Sequence, residues 1–184
     1  MRIVTFRNAG SAPEAGIIVD DKVVGLSGAG FGSVIELIAG GDAALSTAES
    51  FARGTGSASA VALSGVTLLS PVPRPSKFIC VGLNYRDHAI ESKMEIPEVP
   101  TIFNKFPNVV IGPNEPIVLP KVSEKPDYEA ELAVVIGRGG RAIKADNWEQ
   151  HVFGYTIVND VSARDYQLRT SQWLMGKTFD TFAP

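Results

Sequence analysis

Cysteine and histidine are almost missing from this sequence, and each scarcity removes a class of chemistry. Cys80 is the only cysteine in 184 residues and lies in the apolar stretch Phe78-Ile-Cys-Val-Gly82. There is no second thiol for an intrachain disulfide or a cysteine-type zinc site, and the residue reads as a buried structural cysteine. His88 and His151 are the only histidines, too few for the usual multi-histidine zinc centres. No G-x-S-x-G nucleophile elbow and no G-x-x-x-x-G-K-[ST] phosphate loop occurs, and the glycines of Gly25–Ser33 miss the G-x-G-x-x-G spacing. Those gaps speak against a nucleophile-elbow hydrolase, a P-loop and a dinucleotide-binding turn.

Basic runs are also missing. With a net charge of −3 and a pI near 5.4, a nucleic-acid partner or an anionic membrane surface is not expected, which leaves a small molecule. The N-terminus turns polar after a few apolar residues, unlike the apolar core of a signal peptide, and no stretch is long enough to span a bilayer. Cytoplasm is the expected compartment.

What remains is a globular composition, 45% hydrophobic and 20% charged, sufficient for a real core. Residues 1–70 read as a small α+β domain. It has a strand at Arg2–Phe6, a hairpin turning at Asp20-Asp21, a helix capped by Ser33 and stopped by Gly40-Gly41, and a second helix starting at Thr47. Pro71, Pro73 and Pro75 then stiffen a connector. Residues 71–184 form the second domain, with strands at 77–82, 101–105, 117–120 and 152–160. A helix is expected around 144–151, and another after Ser162 as cap.

The segment Lys125–Gly137, KPDYEAELAVVIG, holds Asp127, Glu129 and Glu131 at alternate positions before an apolar run. On one strand they would share a face roughly 6.5–7 Å apart, with Tyr128, Ala130 and Leu132 opposite. Crowded anions need water, protons or a cation. Asp160, the last residue of the expected strand 152–160, adds a fourth carboxylate at an apolar strand end, where leaving it unpaired is costly. Hard oxygen donors suit Mg²⁺ or Mn²⁺, with Ca²⁺ a further option; a solvated edge strand is the rival reading.

His88 and Glu91, three apart, would share a helix face. The carboxylate would fix the imidazole tautomer and make it a base, or the two form only a surface ion pair. Lys177, after Gly176, is placed to meet an anionic substrate group, and Arg86, Lys105, Arg164 and Gln167 are further substrate-binding candidates. His151 reads as a structural or surface residue.

Taken together, GLNYRDHAIES, DYEAELAVVIG, YTIVNDVSARDYQ and GKTFDTFAP resemble the fumarylacetoacetate hydrolase family from about Ser76 onward, most closely the members called fumarylacetoacetate hydrolase domain-containing proteins. The resemblance implies an α+β, mainly β fold: a mixed β-sandwich roll, incomplete in these residues, preceded by the small α+β domain. It further implies a homodimer and a divalent cation, Mg²⁺ or Mn²⁺, held by Glu129, Glu131 and Asp160. Lys177 becomes the active-site lysine, His88 and Glu91 a proton-transferring dyad on a closing segment, and Arg164 and Gln167 neighbours of the metal. Lys105 and Arg86 carry over less directly, and Asp127 is expected to support the neighbouring acids or a basic residue rather than to bind the metal. Members usually continue through further strands beyond the position matching Pro184.

The chemistry expected from this inventory is a 2-oxo acid chelated by the cation, with its enolate stabilised there. The first reading is hydrolysis of a C–C bond in an acylpyruvate-type acid. Decarboxylation, tautomerisation and dehydration of a 2-oxo acid such as oxaloacetate are the alternatives, and a non-catalytic binding module is a different class.

Overall fold

The computed structural model describes residues 1–184. At its N-terminus β1 (Arg2–Arg7), β2 (Glu14–Val19), β3 (Lys22–Gly25), β4 (Val61–Ala62) and β5 (Thr67–Leu69) form one sheet in the order β4-β3-β2-β1-β5. Val19 pairs with Lys22, so the expected hairpin turns on the two residues Asp20 and Asp21. Asp20 takes the left-handed conformation at φ 53°, one that aspartate tolerates better than most residues.

The helix α1 (Val34–Arg53) begins as its sequence suggests. The Ser33 hydroxyl accepts from the Glu36 amide at 3.3 Å, satisfying one donor of the first turn, and the Glu36 carboxylate accepts from the Gly32 amide just before the cap at 2.6 Å. The expected stop at Gly40-Gly41 is instead a kink. Gly41 adopts φ 59°, ψ −149°, and the helix resumes immediately rather than at Thr47. Ala44, Ala48 and Ala52 recur every four residues and are buried with Ala15, Ile17, Val24, Leu26, Val34 and Leu37. Small side chains on that stripe let the helix approach its sheet.

Further along come β6 (Phe78–Gly82), α2 (Arg86–Glu91), β7 (Thr101–Lys105), β8 (Pro126–Asp127), β9 (Ala130–Ile136), β10 (Val152–Asn159), β11 (Ser162–Ala163), α3 (Arg164–Gln167) and α4 (Leu174–Lys177). They pair as β6-β7, β9-β10 and β8-β11, so the fold is mainly β with a few helices. Ile117–Pro120, expected as a strand, is irregular, and 145–151 is a 3₁₀ helix. No helix is long and apolar enough to cross a membrane.

The chain divides into two compact units, each discontinuous in sequence. One comprises Met1–Pro73, Ile111–Glu115 and Ala130–Val158; the other comprises Arg74–Val110, Pro116–Glu129 and Asn159–Pro184. Within the second, Val109, Val161, Ala163, Phe182 and Ala183 are buried. The Ala183 amide donates to the Val109 carbonyl at 2.9 Å, and the Asn159 amide to the Pro184 carbonyl at 3.1 Å. The second of these holds the backbone immediately before Asp160.

Candidate metal centre

The acidic segment is not one strand. Pairing stops after Asp127 and restarts at Ala130, and at the break the Asp160 amide donates to the Glu129 carbonyl at 2.8 Å. The Glu129 amide in turn donates to Oδ1 of Asn159 at 3.0 Å. Two backbone segments thereby present Glu129 and Asp160 to each other. Glu131 follows two residues along, and Glu129, Glu131 and Asp160 each bring a carboxylate oxygen to within 4.8 Å of one another.

Asp160 is buried at 1% exposure, as are Lys105 at 2% and Lys177 at 1%. Lys105 Nζ donates to Oδ1 of Asp160 and, at 3.2 Å, to the Val161 carbonyl. Lys177 Nζ lies 2.8 Å from Oδ2 of Asp160 and 2.9 Å from Oε2 of Glu129. Arg164 Nη1 reaches Oε1 of Glu129 at 2.6 Å, and Nη2 reaches Oδ2 of Asp127 at 2.8 Å. Asp127, Glu129 and Asp160 therefore face Lys105, Lys177 and Arg164.

These pairings move the protonation equilibria. Burial pushes the Glu129 carboxyl up, but the charges and hydrogen bonds of Lys177 and Arg164 outweigh it and hold the group below its ordinary value. The hydrogen bond from Arg164 does the same for Asp127. For Arg164, burial is outweighed by Asp127 and Glu129, and its pKa rises. For Lys105 burial wins over attraction to Asp160, and the ammonium is easier to deprotonate than usual.

Several sequence-predicted residues therefore meet: Glu129, Glu131, Asp160, Lys177, Lys105 and Arg164, with Gln167 accepting from Arg164 Nη1 at 3.0 Å. Asp127 pairs with Arg164. Others stay apart. His88 and Glu91 are both exposed on α2, no hydrogen bond joins them, and none links either to the acidic cluster. Arg86 is exposed at the start of α2. Ser162, expected as a helix cap, instead lies in β11, paired with Asp127. Its hydroxyl donates to the Asp160 carbonyl at 3.0 Å and lies 3.3 Å from Oε1 of Glu129; Ala163 occupies the cap position of α3. Ser162 and Asn159 are the site residues that sequence reasoning missed. The available signal for Ser162 was its spacing of two from Asp160.

The donor set fits a hard dication, since three carboxylates converge, one of them fully buried, with no sulfur and no imidazole among them.

The sequence profile of the family described as Fumarylacetoacetate (FAA) hydrolase C-terminal matches residues 77–184. The chain is 41% identical over 192 aligned residues to an oxaloacetate tautomerase, fahd2, mitochondrial, of Xenopus laevis, a match covering 100% of this chain and 60% of that protein. Among solved structures, the fumarylacetoacetate hydrolase of psychrophilic Exiguobacterium antarcticum superposes with a TM-score of 0.78 at 31% identity, covering 99% of this chain and 64% of that one. A maleylpyruvate hydrolase from Sphingobium sp. SYK-6, solved with manganese(II) and pyruvate, superposes with a TM-score of 0.74 at 26% identity and covers 100% and 64%. The chain thus spans somewhat under two thirds of these proteins.

Proposed function

The chain belongs to the fumarylacetoacetate hydrolase family, and from that premise we propose that it interconverts the keto and enol forms of a small 2-oxo acid of the oxaloacetate type. The observation carrying this reading is the convergence of Glu129, Glu131 and Asp160 within 4.8 Å. These three would hold Mg²⁺ or Mn²⁺, whose Lewis acidity stabilises negative charge developing on a keto oxygen. The sequence reading put C–C hydrolysis first. The name of the frog relative moves the tautomerase alternative ahead of it.

The chain's own residues divide the remaining work. Lys177 and Arg164 supply positive charge for the carboxylates of a dianionic substrate. His88, oriented by Glu91 once the segment closes, takes the proton from the carbon beside the keto group and delivers it to the enolate oxygen, giving the enol; the reverse transfer, from oxygen to carbon, restores the keto acid. In the structure both stand in the open on α2, so this role requires the segment to move toward bound substrate. Tautomerisation needs nothing more than this proton traffic, and it needs no activated water.

Oxaloacetate enol absorbance, followed with and without Mg²⁺ or Mn²⁺, tests the proposal. Metal-dependent acceleration is expected, lost in Glu129→Gln together with metal binding. His88→Ala should retain metal binding and slow the reaction by about 10²–10⁴-fold. Unchanged turnover in His88→Ala would remove the dyad, and full activity in metal-free Glu129→Gln would remove the metal.

C–C hydrolysis remains the second reading, favoured by the maleylpyruvate hydrolase neighbour; loss of acylpyruvate absorbance with equimolar acid release would put it first. A homodimer is proposed on the family resemblance, to be checked by light scattering. For the compartment, the sequence reading favours cytoplasm while the frog relative is described as mitochondrial; cell fractionation decides.

A further inference from the structure

All four carboxylate oxygens of Glu129 and Asp160 already touch a donor of the protein. Oδ1 of Asp160 is held by Lys105, Oδ2 of Asp160 and Oε2 of Glu129 by Lys177, and Oε1 of Glu129 by Arg164. A dication taking oxygens of both residues therefore meets like charges already seated there, and their repulsion favours displacing one of the three cations.

The contacts single out which. Arg164 touches only Glu129 of this pair, and it is tied to Asp127 through Nε and Nη2 at 3.0 and 2.8 Å. Lys105 touches only Asp160 and is anchored to the Val161 carbonyl. Of the three, Lys177 is the one shown to span an oxygen of both Glu129 and Asp160, the position a bridging cation would take. Its ammonium also lies 5.1 Å from the centre of the Phe103 ring, a face that can hold a displaced cation.

Resting on the metal-dependent reading above, we infer that Lys177 is an internal counter-cation that exchanges with the dication. Without metal it neutralises Glu129 and Asp160. When the dication takes those oxygens, Lys177 leaves them and becomes free to pair with the carboxylate of an incoming 2-oxo acid. One side chain thus couples metal loading to substrate capture, and metal affinity is set by competition with Lys177 as well as by the carboxylates.

Two measurements on the full chain test this, neither of them activity. Mn²⁺ titration followed by the electron paramagnetic resonance of the free ion should show Lys177→Met binding at least ten-fold more tightly than the parent. Lys177→Arg, which keeps the charge, should show no tightening. In the parent protein, acetylation of Lys177 read by mass spectrometry should rise several-fold when Mg²⁺ saturates the site, because the buried ammonium is released. Equal or weaker Mn²⁺ binding by folded Lys177→Met, or unchanged labelling of Lys177 in protein shown to hold Mg²⁺, overturns the exchange while leaving the metal site standing. Absence of Mn²⁺ binding in the parent and in both variants overturns the exchange and the metal reading together.

Discussion

At the scale of single residues, Asp160 governs the arrangement. Its carboxylate is buried and answers two ammonium groups, Lys105 and Lys177, neither of which has water to fall back on. Removing one charge from a buried network leaves the others uncompensated, which typically costs about 3–5 kcal/mol. Asp160→Asn should therefore lose metal binding and also lower the urea-unfolding free energy by roughly 3 kcal/mol or more. A loss below about 1 kcal/mol would mean that water or rearrangement satisfies the two lysines. This centre was partly legible in the sequence. The alternation of Asp127, Glu129 and Glu131 and the position of Asp160 after an apolar run were visible, and family resemblance joined them. The placing of Lys105 against Asp160 was not, since 55 residues separate them and an isolated lysine in a strand carries no signal of its partner. The same holds for the side chain of Asn159, whose role is to hold the Glu129 amide.

At the scale of elements, the strands fell largely where period-two alternation put them, and the Ser33 cap was readable from Ser-x-x-Glu. The misses have local causes. A helix can resume across Gly41 because only one residue departs from helical angles, so a Gly-Gly pair marks a kink as readily as a stop. The face of β9 was also inverted relative to a simple inside-outside rule: Leu132, Val134 and Ile136 are exposed, as are Tyr155 and Ile157 of β10, while Glu131, Ala133 and Val135 are half-buried. The acids take the sheltered side because Glu129 and Asp160 are paired across the break in the strand. Two substitutions contrast the elements. Ser33→Ala removes a helix cap and should lower stability by about 1 kcal/mol. Ile157→Thr, at 79% exposure, should change it by less than about 0.5 kcal/mol while reducing binding of an apolar dye. Parallel urea unfolding of the two variants checks the order, and an Ile157→Thr loss larger than that of Ser33→Ala would contradict it.

At the scale of the whole molecule, acid stability should report the state of the cluster. Glu129 and Asp127 both titrate below their ordinary values because of Lys177 and Arg164. A depressed carboxyl contributes its full stabilisation above the unfolded pKa, about 4 for these groups, and loses it as pH falls through the lowered folded value. The melting temperature should therefore stay level from pH 7 to about 5 and fall below about 4. Arg164→Met removes a cation from both acids, so the folded values move back up and the acid-dependent loss becomes shallower. An equally steep acid profile in that variant would separate the loss from this cluster.

The family and the fold class were legible because motifs spread over a hundred residues occur together, in order; the reaction was not, since one metal-held enolate serves hydrolysis, decarboxylation and tautomerisation alike. The claim beneath every one of those reactions is that Glu129, Glu131 and Asp160 bind one hard dication. Anomalous diffraction from crystals grown with Mn²⁺ tests it most directly. The account predicts a single strong peak within direct ligand distance, about 2 Å by analogy with Mg²⁺, of an oxygen of each of the three carboxylates. A Mn²⁺ peak elsewhere, with Lys177 still seated between Glu129 and Asp160, would contradict it.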